Sequence, residues 1–252
     1  MRPGLLALVG AIASADWTGG GRVEGRVATQ QLTCDGRQRQ IAVFLPEAPA
    51  PSTPAPLVVV LHGSGGNGRA LVESWKGLAS VEGFAVAGPT ALDRREWSVP
   101  EDGPRFLYEL VESMKRSHGI DARRIYLFGH SAGGVFALYM GAVEGDYFAA
   151  VAAHAAAFDG EANLSGLVSR RKVPILMIAG TRDPLFPIER ARATGKELES
   201  LGIPLTFLAL PGRRHAYEPS AVVCRSSWAF LREHQLSAQP RYTPHEFRPF
   251  QR

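Results

Sequence analysis

The sequence is poor in cysteine and has no long apolar run, internal repeat or low-complexity tract. Its two cysteines, Cys34 and Cys224, lie too far apart in the chain to form a metal-ligand cluster or a redox CxxC motif. An oxidising compartment would let them form one disulfide, and otherwise they are two separate thiols. No apolar run approaches the roughly 18 residues that a membrane helix needs. What remains is a chain of 252 residues, 45% of them hydrophobic, which is enough for one domain with a sizeable core.

Positive charge is spread along the chain instead of being concentrated in one segment. The formal net charge is +4, and much of the positive charge is arginine in pairs: Arg94-Arg95, Arg123-Arg124, Arg170-Arg171 and Arg213-Arg214. A nucleic-acid-binding surface usually gathers such charge into a stripe, interleaved with exposed aromatic residues. We therefore interpret these arginines as solvated surface and expect no nucleic-acid partner.

The amino terminus has the features of a secretory signal peptide. In "MRPGLLALVGAIASADW", Arg2 is a short positive region, residues 5–13 are an apolar core, and residues 13–15 fit the small-residue cleavage pattern. This pattern predicts a signal peptide over residues 1–15 and a secreted or periplasmic protein. The alternative is a frayed or misassigned start on a cytoplasmic protein.

Two patterns of apolar residues follow one another along the chain. Residues 26–46 contain extended segments on both sides of Asp35-Gly36, which predicts an antiparallel hairpin. After a proline-rich linker, apolar bursts at 57–63, 84–89, 125–130, 148–154, 173–180 and 204–210 alternate with helical patterns at 68–81, 102–118, 131–143, 187–201 and 219–235. Continuous apolar bursts are typical of strands covered on both faces. We expect an α/β domain over residues 24–235, with a mostly parallel sheet between helices, and a polar C-terminal tail over residues 236–252.

A candidate nucleophile lies where the third of these bursts gives way to a helix. Gly129-His130-Ser131-Ala132-Gly133 matches the pattern G-x-S-x-G, which places a serine on a strained turn between a strand and a helix. Small residues on both sides relieve the crowding at that turn. The helix amino terminus favours negative charge that develops beside the serine. The alternative is a glycine-rich turn without chemistry.

An acid and a base follow later strands in the order that this turn requires. A serine hydroxyl needs a base to accept its proton, and the base needs an acid to orient it. Asp183 follows the burst at 173–180 and His215 follows the burst at 204–210, so we predict the triad Ser131, His215 and Asp183. Asp159 is the alternative acid and His154 the alternative base. We interpret the other histidines as surface residues (His118, His234, His245) or as structural or pocket-lining residues (His62, His130).

The glycine-rich segment at residues 61–68, "LHGSGGNG", supplies a candidate oxyanion hole. It directly follows an apolar burst, and its glycines allow a backbone amide to approach substrate closely. We predict that the amides of Ala132 and Ser64 hold the oxyanion, with Gly65 as the next choice for the second donor. A phosphate-binding loop is the competing interpretation of these glycines, and the G-x-x-x-x-G-K-S/T pattern of such loops is absent.

From about residue 28 to 235 the chain resembles the α/β-hydrolase superfamily, and within it esterases of the polyhydroxybutyrate depolymerase and feruloyl esterase type. The matching stretches are "DGRQRQIAVFLP", "PLVVVLHGSGGN", "GIDARRIYLFGHSAGG", "FAAVAAHAAA", "GTRDPLFP" and "RRHAYEP". The resemblance implies an α/β-hydrolase fold and a serine esterase that needs no cofactor or metal. Thioester or peptide cleavage at the same triad, and a catalytically silent binding protein, remain alternatives.

The resemblance also bears on the substrate. Lid domains in this superfamily commonly follow the strand at 148–154, but here residues 155–172 leave room only for a loop and a short helix. We therefore expect no large lid domain and an open site. Such a site suits a small-molecule or polymeric ester with a bulky or aromatic group.

Overall fold

An eight-stranded sheet lies at the centre of the structure, a computed structural model that describes residues 25–46, 54–99, 101–159, 164, 167–216 and 221–242. The strands are β1 (Ala28–Cys34), β2 (Arg37–Phe44), β3 (Ala55–Leu61), β4 (Ala85–Pro89), β5 (Ile120–His130), β6 (Ala150–His154), β7 (Ile175–Gly180) and β8 (Leu205–Leu210). The helices are α1 (Gly68–Glu82), α2 (Pro104–Ser117), α3 (Ala132–Val143), α4 (Ile188–Ser200) and α5 (Ala221–Leu231). The predicted signal peptide lies outside the described residues.

The sheet begins with the predicted hairpin and is otherwise mostly parallel. Asp35 and Gly36 have φ of 48° and 73°, the left-handed values that a two-residue type I′ turn needs, and β1 and β2 pair antiparallel on either side. The strand order is β1-β2-β4-β3-β5-β6-β7-β8, with β2 antiparallel to β4 and every later pairing parallel. The predicted fold class is confirmed.

Helices cover both faces of the sheet. Apolar side chains of α1 and α5 pack on one face, and those of α2, α3 and α4 pack on the other. Cys34 belongs to the core on the second face and Cys224 to the core on the first, and both are buried and not joined in a disulfide. Among the described helices, none is both long enough and apolar enough to cross a membrane.

The structure departs most from the sequence prediction in three places. Strand β5 begins at Ile120 because this residue pairs with Ala55 ahead of a register shift, and the polar bulge that follows hides the strand signal. Helix α5 ends at Leu231, four residues early. Part of the predicted tail packs on the domain, because Leu236 is buried and Tyr242 stacks on Tyr108 with ring centroids 4.4 Å apart.

Candidate active site

Ser131 lies on a sharp turn that only glycine neighbours permit. Its φ of 54° and ψ of −121° are unusual for a residue with a Cβ atom. A Cβ on Gly129 would lie 2.0 Å from the Gly133 carbonyl oxygen, and a Cβ on Gly133 would lie 2.2 Å from the Leu61 oxygen. The Ser131 N–H donates to the His154 carbonyl at 3.0 Å, which fixes the turn to β6. The serine is held between β5 and α3, as the motif predicts.

A chain of hydrogen bonds joins the three residues predicted to form a triad. The Ser131 hydroxyl lies 2.9 Å from Nε2 of His215, and Nδ1 of His215 lies 2.8 Å from Oδ2 of Asp183. The other carboxylate oxygen of Asp183 accepts the N–H groups of Leu185 and Phe186, both at 2.9 Å. Because an ionised carboxylate only accepts, Nδ1 of His215 carries the proton and Nε2 is free to accept one from the hydroxyl.

The loops that carry the acid and the base are tied to each other. The Arg182 N–H donates to the Arg213 carbonyl at 2.9 Å, and the Gly212 N–H donates to the hydroxyl of Thr181 at 2.8 Å. These bonds link the residues that follow β7 to those that follow β8. The relative position of the carboxylate and the imidazole is thus set by backbone contacts.

The alternative acid and the alternative base make their side-chain contacts outside this hydrogen-bond chain. The Asp159 side chain is 95% exposed and pairs with Arg190 at 3.3 Å. Nδ1 of His154 lies 3.1 Å from Nδ1 of His130, so one of these rings donates to the other. The structure brings neither Asp159 nor His154 into the hydrogen-bond chain of Ser131.

His215 is flanked by rings that carry no charge at neutral pH. Its ring lies against those of His130 and Phe186, with centroids 5.4 and 5.5 Å away. Burial, followed by the charges of the neighbouring histidines, lowers the pKa of His130 to about 3. Burial and the charge of His215 lower the pKa of His154 to about 4. Both are therefore neutral at pH 7, and neither opposes a positive charge on His215.

The structure distinguishes between the two candidates for the second oxyanion donor, Ser64 and Gly65. Ala132 is the first residue of α3, where an amide has no acceptor within the helix. The Gly65 N–H donates to the carbonyl of Arg94 at 2.7 Å, so it is engaged away from the site. Ser64 lines the cavity beside Ser131. The pairing of Ala132 with Ser64 remains a prediction.

His62 is a structural residue that also lines the site. Its Nδ1 donates to the Gly63 carbonyl at 2.8 Å, while Nε2 accepts the Ala91 N–H at 3.0 Å. The indole N–H of Trp97 donates to the His62 carbonyl at 2.8 Å. The segment after β4 thus braces the glycine-rich loop, an arrangement that the sequence analysis did not predict because no short motif encodes it.

A cavity of about 490 Å³ lies in front of Ser131. Its walls come from the glycine-rich loop, one face of α1, and the loops that carry Leu185 and His215. This volume falls within the range of about 300–1,000 Å³ found for small-molecule sites. The site therefore combines an activated serine with room for an organic substrate.

Comparisons with known proteins agree with this fold. A family model described as phospholipase/carboxylesterase matches residues 105–228. The solved structure of a ferulic acid esterase from Anaeromyces mucronatus superposes with a TM-score of 0.66 at 16% identity, over 83% of this chain and 92% of that one. The chain has the α/β-hydrolase fold.

Two curated relatives of this α/β-hydrolase are larger proteins. It is 29% identical over 158 residues to a bifunctional acetylxylan esterase/xylanase of Neocallimastix patriciarum, covering 60% of this chain and 22% of that protein. It is 33% identical over 111 residues to poly(3-hydroxyalkanoate) depolymerase C of Paucimonas lemoignei, covering 39% of this chain and 27% of that protein. The α/β-hydrolase thus spans about a quarter of the length of these relatives.

Proposed function

We propose that the protein is a serine hydrolase that cleaves carboxylic esters through an acyl-enzyme intermediate. The observation that carries the proposal is the hydrogen-bond chain from Ser131 through His215 to Asp183, at 2.9 and 2.8 Å. These are the distances at which a base accepts a hydroxyl proton and an acid orients the base. The match to the phospholipase/carboxylesterase family model supports the same reaction.

In the first half of the reaction, Ser131 Oγ attacks the ester carbonyl carbon and Nε2 of His215 takes the hydroxyl proton. Asp183 stabilises the imidazolium that forms and keeps its Nδ1–H in place. The negative charge that develops on the carbonyl oxygen is held by the amides of Ala132 and Ser64. When the tetrahedral species collapses, the bond to the alcohol oxygen breaks and His215 returns the proton to that oxygen.

In the second half, water replaces the alcohol. His215 takes a proton from the water, whose oxygen attacks the acyl carbon bound to Ser131. Collapse then breaks the bond between the acyl carbon and Oγ, and His215 returns its proton to Oγ. The carboxylic acid leaves and the free serine is restored.

Steady-state kinetics of Ser131→Ala test this proposal. We expect kcat to fall roughly 10⁴- to 10⁶-fold, with residual catalysis from the oxyanion donors. Ser200→Ala, which changes an exposed serine on α4, is the matched control and retains full activity. Unchanged turnover in Ser131→Ala would refute the proposal, and a silent binding protein would show no turnover in the wild type.

The substrate class is proposed to be bulky, polymeric or aromatic esters. Ser131 is half-buried and residues 155–174 alone join β6 to β7, which supports an open site. A panel of short-acyl aryl esters, feruloyl esters, oligomeric hydroxybutyrate and thioesters ranks the candidates by kcat/KM. A preference for thioesters or peptides would move the protein to another acyl-transfer class at the same residues.

Export is a further part of the proposal and rests on the sequence of residues 1–15. The full chain expressed in a bacterial host is expected to lose these residues on passage through the membrane. Amino-terminal sequencing of the exported product identifies the first residue, which we expect to be Asp16. An intact amino terminus on protein recovered only from the cytoplasm would contradict export.

A further inference from the structure

One face of α1 forms a wall of the cavity in front of Ser131. Asn67, Ala70, Leu71 and Ser74 line the cavity, and their spacing places them on the same side of the helix. From Asn67 to Ser74 the helix rises by about 10 Å, given about 1.5 Å per residue. The part of the cavity that reaches from Ser131 along α1 to Ser74 is called the groove below.

The polar side chains in this wall are occupied by their own helix. The side-chain oxygen of Asn67 accepts the Ala70 N–H at 2.8 Å, as the cap of α1. The Ser74 hydroxyl donates to the Leu71 carbonyl at 2.6 Å. Since these hydrogen bonds turn the polar atoms toward the backbone, the groove presents mainly aliphatic surface despite the residue types that line it.

Charge is absent from the described lining, and apolar surface lies at the rim. None of the described residues around the cavity is Asp, Glu, Lys or Arg. Leu185 also lines the cavity, with 60% of its surface exposed, and the hydrogen bond from its N–H to Asp183 holds its backbone in place. An exposed leucine beside a reactive serine is suited to contact with an apolar ligand.

The position of His215 decides which part of an ester enters the groove. His215 returns its proton to the alcohol oxygen, so the alcohol must leave on the side of the imidazole. The wall formed by Ala70 and Ser74 belongs to α1, which directly follows the loop that carries Ser64, the predicted oxyanion donor. The group that extends along α1 is therefore the acyl group.

We infer that this groove is the acyl-binding site of the esterase proposed above and takes a neutral, elongated acyl group that ends near Ser74. A length of about 10 Å corresponds to an extended chain of about eight carbons, given carbon–carbon bonds of about 1.5 Å. Each additional methylene that reaches the groove adds buried apolar area. In longer chains the additional carbons lie beyond Ser74 and add no further buried apolar area.

Kinetics with p-nitrophenyl acetate, octanoate and hexadecanoate test the groove in the wild type and in Ser74→Trp. We expect wild-type kcat/KM for octanoate to exceed that for acetate by about tenfold or more, because the longer chain buries apolar area. Ser74→Trp is expected to remove about tenfold of the octanoate activity and to leave acetate within about twofold, since it fills only the far end. Hexadecanoate should give no further gain over octanoate.

Gly77→Trp is the matched control, because Gly77 lies on α1 outside the groove with open space around its Cβ position. It should change kcat/KM for neither acetate nor octanoate. Equal losses for acetate and octanoate in Ser74→Trp, or no loss for octanoate, would overturn the groove assignment.

A binding measurement separates this inference from the proposed activity. Octanamide is neutral and resists hydrolysis, so its affinity by titration calorimetry does not depend on turnover. The groove predicts binding to the wild type and to Gly77→Trp, and loss of binding in Ser74→Trp. If no ester is hydrolysed but octanamide binds to the wild type and to Gly77→Trp and not to Ser74→Trp, the proposed function is wrong and the groove assignment is supported. If esters are hydrolysed but octanamide binds equally well to the wild type and to Ser74→Trp, the groove assignment is wrong and the proposed function is unaffected.

Arg94 holds the loop that carries Ser64 through three separate hydrogen bonds. Its carbonyl accepts the Gly65 N–H at 2.7 Å, its Nε donates to the Gly66 carbonyl at 2.8 Å, and a terminal nitrogen donates to the Gly65 carbonyl at 2.8 Å. The Arg94 side chain is exposed and the next residue, Arg95, pairs with Asp93. These two adjacent arginines therefore make different contacts.

We also infer that Arg94 is a positioning residue for the second oxyanion donor. Gly65 and Gly66 directly follow Ser64, so the direction of the Ser64 amide depends on where their carbonyl groups are held. A small misplacement of an oxyanion donor weakens transition-state binding more than substrate binding. The contribution of Arg94 is therefore expected in kcat.

Arg94→Ala and Arg94→Lys, with Arg95→Ala as the matched control, test this role. We expect Arg94→Ala to lower kcat roughly tenfold with KM within about twofold, and Arg94→Lys to recover part of the loss. Thermal midpoints should agree among the variants, because the side chain is exposed. A loss of kcat in Arg95→Ala equal to that in Arg94→Ala, or unchanged kcat in Arg94→Ala, would overturn the role.

Hydrogen exchange gives a readout that needs no activity. Arg94→Ala should speed exchange of the amides in residues 62–67, and Arg95→Ala should not. Faster exchange in an enzyme without esterase activity would leave the positioning intact and refute only the reaction. Unchanged exchange would refute the positioning.

Discussion

Arg39 and Asp102 form a buried ion pair that anchors the segment after β4 to strand β2. Their side chains are 4% and 0% exposed. The carboxylate of Asp102 also accepts the N–H groups of Leu92 and Ser98, both at 3.1 Å, and Arg39 donates to the Thr90 carbonyl at 3.0 Å. One carboxylate therefore organises the segment that braces the glycine-rich loop.

Removal of Asp102 should destabilise the protein strongly. Asp102→Ala leaves the Arg39 charge buried without its partner, which costs about 3–5 kcal/mol of the free energy of unfolding. Asp93→Ala, in the same segment but exposed, should leave the free energy of unfolding almost unchanged. Urea unfolding at pH 7 measures both. A cost for Asp102→Ala no larger than that for Asp93→Ala would contradict the anchoring role.

The turn at Ser131 should not tolerate a methyl group on either side. Gly133→Ala would place a Cβ 2.2 Å from the Leu61 oxygen, so β3 and α3 must separate and the serine must move. We expect kcat to fall about 100-fold or more, in line with the effect of a displacement of about 1 Å. Gly77→Ala is the control, because its site is open and alanine favours a helix by about 1 kcal/mol. Retained activity in Gly133→Ala would show that the turn is less crowded than described.

The parts that the sequence predicted are those that depend on neighbouring residues. The hairpin at Asp35-Gly36 follows from turn chemistry, and the strand-to-helix setting of Ser131 follows from local apolar patterns. Asp183 and His215 could be placed because parallel strands bring their carboxyl ends to one edge.

The parts that the sequence did not predict depend on contacts between distant residues. Arg39 and Asp102 are 63 positions apart, and no local pattern selects one partner for the other. Arg94 and Arg95 have the same residue type and neighbouring positions, yet Arg95 is 83% exposed while Arg94 binds loop carbonyls. The path of the loop decides between these environments, and composition does not encode that path.

The acid limb of the pH–rate profile should report one proton. His130 and His154 have pKa values of about 3 and 4, so both stay neutral above about pH 5. His62 also lines the site, and burial lowers its pKa, so the base that accepts the Ser131 proton is the one group among these whose protonation is expected to stop the reaction. A plot of log kcat/KM against pH should therefore have a limiting slope of about one. A slope approaching two would mean that a second histidine titrates with it.

Glu144 should make stability fall as the pH rises. Burial, followed by the charge of Asp146, raises the pKa of Glu144 from 4.5 to about 8. Between these two pH values the folded state therefore binds more protons than the unfolded state. The contribution of Glu144 to the free energy of unfolding is full below about pH 4.5 and is lost as the pH passes about 8. Glu144→Gln removes this titration. Its Tm relative to the wild type should rise by a few degrees between pH 5 and pH 8.

Glu199→Gln, an exposed change on α4, is the control for that comparison and should keep a constant offset in Tm. A constant offset for Glu144→Gln as well would show that its carboxyl group is charged in the folded protein.

The nucleophile assignment is tested most directly by locating the adduct of a serine-directed fluorophosphonate. The hydrogen-bond chain at 2.9 and 2.8 Å activates one hydroxyl, so Ser131 Oγ should attack phosphorus and displace fluoride. Peptide mass spectrometry should find one adduct, on the peptide that contains Ser131, and none in Ser131→Ala. An adduct on another serine, or no adduct on the folded wild type, would contradict the account.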